Sequence, residues 1–131
     1  ATIDRLPNDH IHCNVSNAGL VSPILRRPGQ PSEFLDACGL PMGIIEDPQY
    51  YECRFKLAHN DIILFCSDGI IEAKNQADDM FGFERLLSTI DATPPDISAK
   101  AFVEHLQQTV DDFVGTASQH DDITIVAIKV R

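Results

Sequence analysis

Ile62-Ile63-Leu64-Phe65-Cys66-Ser67-Asp68-Gly69 is an uninterrupted apolar run that closes on a hydroxyl, a carboxylate and a glycine. A short run of this kind reads as a buried strand, and Asp-Gly is the chemistry of a sharp turn at its end. Further along, His120-Asp121-Asp122-Ile123-Thr124 reverses the order, with acidic residues first and then a strand-like run through Val126-Ala127-Ile128. Each segment sets a carboxylate at one end of a strand. Two hard oxygen ligands on neighbouring strands suit a Mg²⁺ or Mn²⁺ ion. The reading predicts that the last strand inserts beside an earlier one, which would carry Asp121 towards Asp68. The competing reading is two ordinary strand-end turns on an acidic domain.

Outward from this pair, the first half of the chain reads as β-structure. Residues 1–6 and 11–16 alternate about the turn Pro7-Asn8-Asp9-His10, which predicts a hairpin. Residues 20–26 resume as a strand with Pro23 inside it, the mark of an edge or a bulge. Leu40-Pro41-Met42-Gly43-Ile44 is a compact apolar loop or short strand. Tyr51, Cys53, Phe55 and Leu57 alternate with Glu52, Arg54 and Lys56, the cleanest period of two in the chain. Helices come late. Phe83, Leu86, Leu87 and Ile90 mark one, and Phe102, Leu106, Val110 and Phe113 mark a longer one over 97–114, stopped by Gly115. Strands, then helices, then one returning strand imply an α+β fold with a largely antiparallel sheet.

At 131 residues the chain fits a single domain, residues 1–131, and can bury a real core. A formal charge of −10 argues against nucleic acid and anionic membrane as partners, since both would be repelled. Cys13, Cys38, Cys53 and Cys66 show no zinc-type spacing and read as free thiols, three of them small buried hydrophobes. No signal peptide and no membrane-length apolar run is visible, so the expectation is a cytoplasmic protein.

Several landmarks occur in order: Asn17-Ala18-Gly19, Gly39-Leu40-Pro41-Met42-Gly43, Leu57-Ala58-His59-Asn60-Asp61, Ser67-Asp68-Gly69-Ile70-Ile71-Glu72-Ala73, Phe81-Gly82-Phe83-Glu84-Arg85-Leu86 and Asp121-Asp122-Ile123-Thr124. This set resembles the bacterial branch of the metal-dependent protein serine/threonine phosphatases, the PPM superfamily, in its SpoIIE- and RsbU-like members. The resemblance covers nearly the whole chain. It implies an αββα sandwich with two Mn²⁺ or Mg²⁺ ions at one end of the sheets. It maps Asp68 and Asp121 onto metal ligands, gives Asp122 an orienting role, and leaves Gly69 and Thr124 to support the turns. The chain departs from the family in two places. An early Gly-Asp-x-x-Gly-His-Gly stretch is absent, since none of the seven glycines is followed by Asp or His. Leu20 stands where the family often has His after Ala-Gly. The resemblance is therefore to the later part of the domain, with its N-terminal strands missing, and it does not by itself imply that these residues turn over alone.

Phosphomonoester hydrolysis is slow because the dianion repels nucleophiles and the alkoxide leaves poorly. Two cations about 3.5–4 Å apart answer both difficulties. The resemblance implies hydrolysis of phosphoserine or phosphothreonine on a regulatory protein, such as an anti-anti-sigma (STAS-like) domain, with no covalent enzyme intermediate. The alternative is a phosphatase-like module that binds a partner without turnover. A third expectation is a homodimer formed through the exposed sheet edge. Elsewhere, His10, His12 and His120 read as surface residues, His59 and His105 carry no functional signal, Arg26-Arg27 reads as an exposed hairpin end that could also receive a phosphoprotein, and Asp78-Asp79 as a solvated loop. Phe81, Phe83, Phe102 and Phe113 read as helix-to-sheet packing. No phosphate loop, nucleophilic triad or coenzyme fingerprint is present.

Overall fold

A computed structural model describes residues 1–6, 11–37, 39–118 and 121–131. The Pro7–His10 turn, Cys38 and His120 lie outside the described residues. Two antiparallel sheets form. The first has the order β1-β2-β5, from Thr2–Arg5, Ile11–Val15 and Cys53–Leu57. The second has the order β4-β3-β6-β7, from Glu33–Phe34, Ile24–Arg26, Ile62–Cys66 and Ile125–Lys129. The helices are α1, Gly82–Asp91, and α2, Ala99–Val114.

The apolar run that opened the sequence reading is the middle of the second sheet. β6 pairs with β3 on one side and with β7 on the other, so it has no edge. Alternation along it then divides two cores. Ile62 and Leu64 join Ile24 from β3 and Leu86, Ile90, Phe102, Leu106 and Val110 from the helices. Ile63 points the other way and joins Leu25, Cys13, Val15 and Leu57, from both sheets. Covered on both faces, the strand needs a continuous apolar run. The layers are thus helices, sheet, sheet.

The outer face of the first sheet is polar. Thr2, Asn14 and Arg54 lie in register across it, as do Asp4, His12 and Lys56, and Arg54 Nε donates to Asn14 Oδ1 at 2.8 Å. Among the described residues no helix covers this face, and none is long and apolar enough to cross a membrane.

Local chemistry sets the joints. Asn60 takes a left-handed φ of 69° between β5 and β6, and the buried Asp61 carboxylate accepts from the Ala58 N–H at 2.9 Å. Ser98 caps α2 by accepting from the Ala101 N–H at 3.1 Å. Gly115 ends it at φ 58°.

Some expectations change. The strand expected over 20–26 shortens to Ile24–Arg26, because Pro23 has no N–H to give the ladder. Arg26 is not an exposed hairpin end: it is 4% exposed, and its guanidinium donates to the carbonyls of Thr93, Pro94 and Pro95. It ties β3 to the α1–α2 connection and is not available to a substrate. Of the two readings of residues 40–44 the loop holds, since 42–47 are exposed turns and bends. Phe81 and Phe102 are buried as expected, but Phe83 is half exposed and meets Phe34 edge-on at 5.4 Å. Cys13, Cys53 and Cys66 are free thiols.

Candidate metal centre

β6 and β7 run antiparallel, so the end of one lies beside the start of the other. Cys66 faces Ile125 in the ladder. Beyond that pair the ladder continues as a clasp. The Ser67 N–H donates to the Thr124 carbonyl at 3.0 Å. The Ser67 hydroxyl donates to the Asp122 carbonyl at 3.0 Å and accepts from the Thr124 N–H at 3.0 Å. One side chain therefore fixes the two segments that the sequence reading paired, though it carried no role in that reading. Its signal lies in a contact across more than fifty residues (|i−j| of 55 and 57), which no local pattern displays.

Asp68 opens a single 3₁₀ turn, Asp68–Ile70, and its carbonyl accepts from the N–H groups of Ile71 and Glu72, both at 2.9 Å. Its carboxylate is exposed. Gly69 is buried against the other segment: a Cβ there would lie 2.5 Å from the Asp122 carbonyl oxygen. Asp121 is exposed, and its Oδ1 accepts from the Asp122 N–H at 2.7 Å. Asp122 and Thr124 thus contribute through their main chains. Asp122 holds the Asp121 carboxylate, and Thr124 holds Ser67.

The electrostatics bear on the neighbouring thiol. Burial, and then the Asp68 carboxylate, push Cys66 up to about 11, so it stays a neutral thiol at physiological pH. Replacing Ser67 by Ala should cost about 1–2 kcal/mol in urea unfolding, because Thr124 N–H and Asp122 C=O both lose a partner.

The donor chemistry here fits a hard divalent cation, since both side chains are carboxylates at the same end of paired strands. The number falls short. Such a cation takes about six oxygens, and among the described residues no group of three or more His, Cys, Asp or Glu could hold a metal ion. The described residues supply too few donors for such a cation on their own.

Residues 5–131 match the family described as Stage II sporulation protein E (SpoIIE). The chain belongs to the SpoIIE family. Three solved structures share its fold. The SiaA-PP2C domain of Pseudomonas aeruginosa aligns with a TM-score of 0.76 at 19% identity, covering 92% of this chain and 47% of that one. The PP2C phosphatase domain of Bacillus subtilis SpoIIE, solved with a fragment of its regulatory domain, gives 0.73 at 20%, covering 92% and 36%. The RsbU and RsbW domains of a Mycobacterium tuberculosis protein give 0.63 at 21%, covering 92% and 33%. The chain spans about half the length of these solved relatives, or less. No curated protein matches it. The antiparallel α+β architecture of this SpoIIE-family chain is the fold of the PP2C domains among these structures.

Proposed function

We propose that this SpoIIE-family chain is the later part of a protein serine/threonine phosphatase domain, and that Asp68 and Asp121 are two of the ligands of a Mn²⁺ or Mg²⁺ pair. The observation that carries the reading is the Ser67 clasp, which locks the two carboxylate-bearing segments side by side. The B. subtilis SpoIIE phosphatase domain, alike in fold at a TM-score of 0.65 and 18% identity, was solved after presoaking with Mn. When bound, such a pair of ions acidifies water and screens phosphate oxygens.

The chain's own residues have simpler tasks. Asp68 and Asp121 present hard oxygens from rigid strand ends. The Asp122 N–H fixes the rotamer of Asp121, and the Ser67 hydroxyl holds the two turns in register. Further ligands come from the half of the fold that the longer relatives possess and this span does not cover. The substrate is a phosphorylated serine or threonine on a regulatory protein of the anti-anti-sigma kind. The net charge of −10 fits a protein substrate better than a nucleic acid.

Full-length protein should release inorganic phosphate from a phosphoserine peptide with Mn²⁺ present and stop on addition of EDTA. Turnover indifferent to EDTA would exclude the metal assignment. The alternative is a phosphatase-like module that binds its partner without turnover. Full-length protein that binds no divalent ion in calorimetry, yet retains a phosphoprotein partner, would establish it.

A further inference from the structure

Asn17 is buried, and its side chain closes the 17–20 turn with two hydrogen bonds. Its amide donates to the Leu20 carbonyl at 2.7 Å, and its Oδ1 accepts from the Leu20 N–H at 2.9 Å. Gly19 takes a left-handed φ of 86°, and a Cβ there would run into the Pro41 ring, so the 39–41 segment leans on the turn. This local order holds an apolar side chain in water: Leu20 is 74% exposed. An isolated surface leucine needs no explanation, but Leu20 has apolar neighbours. With Val21, Phe34 and the half-exposed Phe83 it lines a hollow of about 440 Å³. Phe34 from β4 and Phe83 from α1 meet edge-on, which joins two of its walls. Leu40 and Met42, on either side of Pro41, are exposed as well.

The surround of this hollow is acidic. Glu33 and Glu84 adjoin Phe34 and Phe83, both are exposed, and among the described residues neither is ion-paired. Residues 28–53 carry Glu33, Asp36, Glu46, Asp47 and Glu52 but no Lys, Arg or His. These charges decide the occupant. A second copy would set acid against acid, and an anionic membrane would be repelled in the same way. An added strand fits poorly too. β4 is two residues long and starts just after Pro31, so it offers few main-chain groups to pair.

We infer that the hollow is a docking site for an amphipathic helix of a partner protein, one whose apolar face is flanked by Lys and Arg. Apolar side chains at i and i+3 or i+4 on that helix enter between Leu20 and Phe83. Its flanking cations face Glu33 and Glu84, which fixes its orientation and excludes helices with acidic flanks. The site does not depend on the metal reading of Asp68 and Asp121.

Fluorescence anisotropy on this chain tests it with two labelled model helices, each with leucines along one face. They differ only in carrying lysines or glutamates on the flanks of that face. Titrations are run on the parent chain, on Leu20→Ser, on Phe83→Ala and on Val126→Ser, the last an exposed apolar residue of β7 away from the hollow. Leu20→Ser changes an exposed side chain and should keep the parent's thermal midpoint. The lysine helix should bind the parent and lose about tenfold or more in affinity with Leu20→Ser and with Phe83→Ala, the scale of one apolar side chain left unburied. Val126→Ser should bind it like the parent, and the glutamate helix should bind the parent about fivefold or more weakly. Equal binding to all four chains, as a general attraction to an acidic protein would give, would overturn the site, and so would equal binding of the two helices. Self-association of the parent in light scattering that Leu20→Ser abolishes would give the hollow to a second copy instead. Sedimentation with phosphatidylcholine vesicles that Leu20→Ser abolishes would give it to lipid, and either result contradicts the proposal.

Discussion

Replacing Asp68 or Asp121 by Ala in the full phosphatase domain is expected to lower Mn²⁺-dependent hydrolysis of phosphoserine by about a hundredfold or more, the scale of losing a ligand to a catalytic cation. The fold should be unaffected. Both side chains are exposed and neither belongs to either hydrophobic core. Thermal unfolding midpoints without metal should match the parent, because surface changes of this kind stay within about 0.5 kcal/mol. Asp122→Ala is the informative control. Its N–H and carbonyl hold Asp121 and Ser67, and both survive the substitution, so its loss should be under about tenfold. Equal losses at all three positions would point to a general effect of negative charge, and parent-like rates in the first two would remove the assignment.

Gly69→Ala should act through the backbone. The new Cβ would lie 2.5 Å from the Asp122 carbonyl oxygen and 3.1 Å from its carbon, and neither atom can turn aside as a side chain could. The 67–69 and 122–124 segments must part, which costs about 1–3 kcal/mol as overpacking and more for Gly69→Val. The same displacement pulls Asp68 from Asp121, so turnover should fall together with the urea midpoint. A variant with the parent midpoint would mean that the segments are less tightly joined than the Ser67 clasp requires.

Most of this architecture could be read before any coordinates. The 62–66 run announced a strand covered on both faces, and β6 lies between β3 and β7 with Ile63 facing one core and Ile62 and Leu64 the other. The alternation through Leu57 gave β5, and the i, i+4 spacing of Phe102, Leu106 and Val110 gave the buried face of α2. What stayed hidden was small or non-local. β4, Glu33–Phe34, is two residues long, too short for any periodicity, and exists because Phe34 pairs with Ile24. Arg26 looked exposed because charge argues for solvent, whereas three carbonyls of the α1–α2 connection take up its donors. The two carboxylates of the candidate site were visible as strand-end acids. Ser67, which joins their segments, was not, because its partners are distant in sequence.

The central claim is that residues 68 and 121 serve the same cations. Adding small amounts of Mn²⁺ to the ¹⁵N-labelled chain tests this directly, because the paramagnetic ion broadens the amide signals nearest to it. The signals of residues 67–69 and of 121–124 should broaden together, at the same additions, while those of the polar outer face around Asn14 and Arg54 stay sharp. Broadening of one segment without the other, or none at either before the rest of the chain, would contradict a shared site.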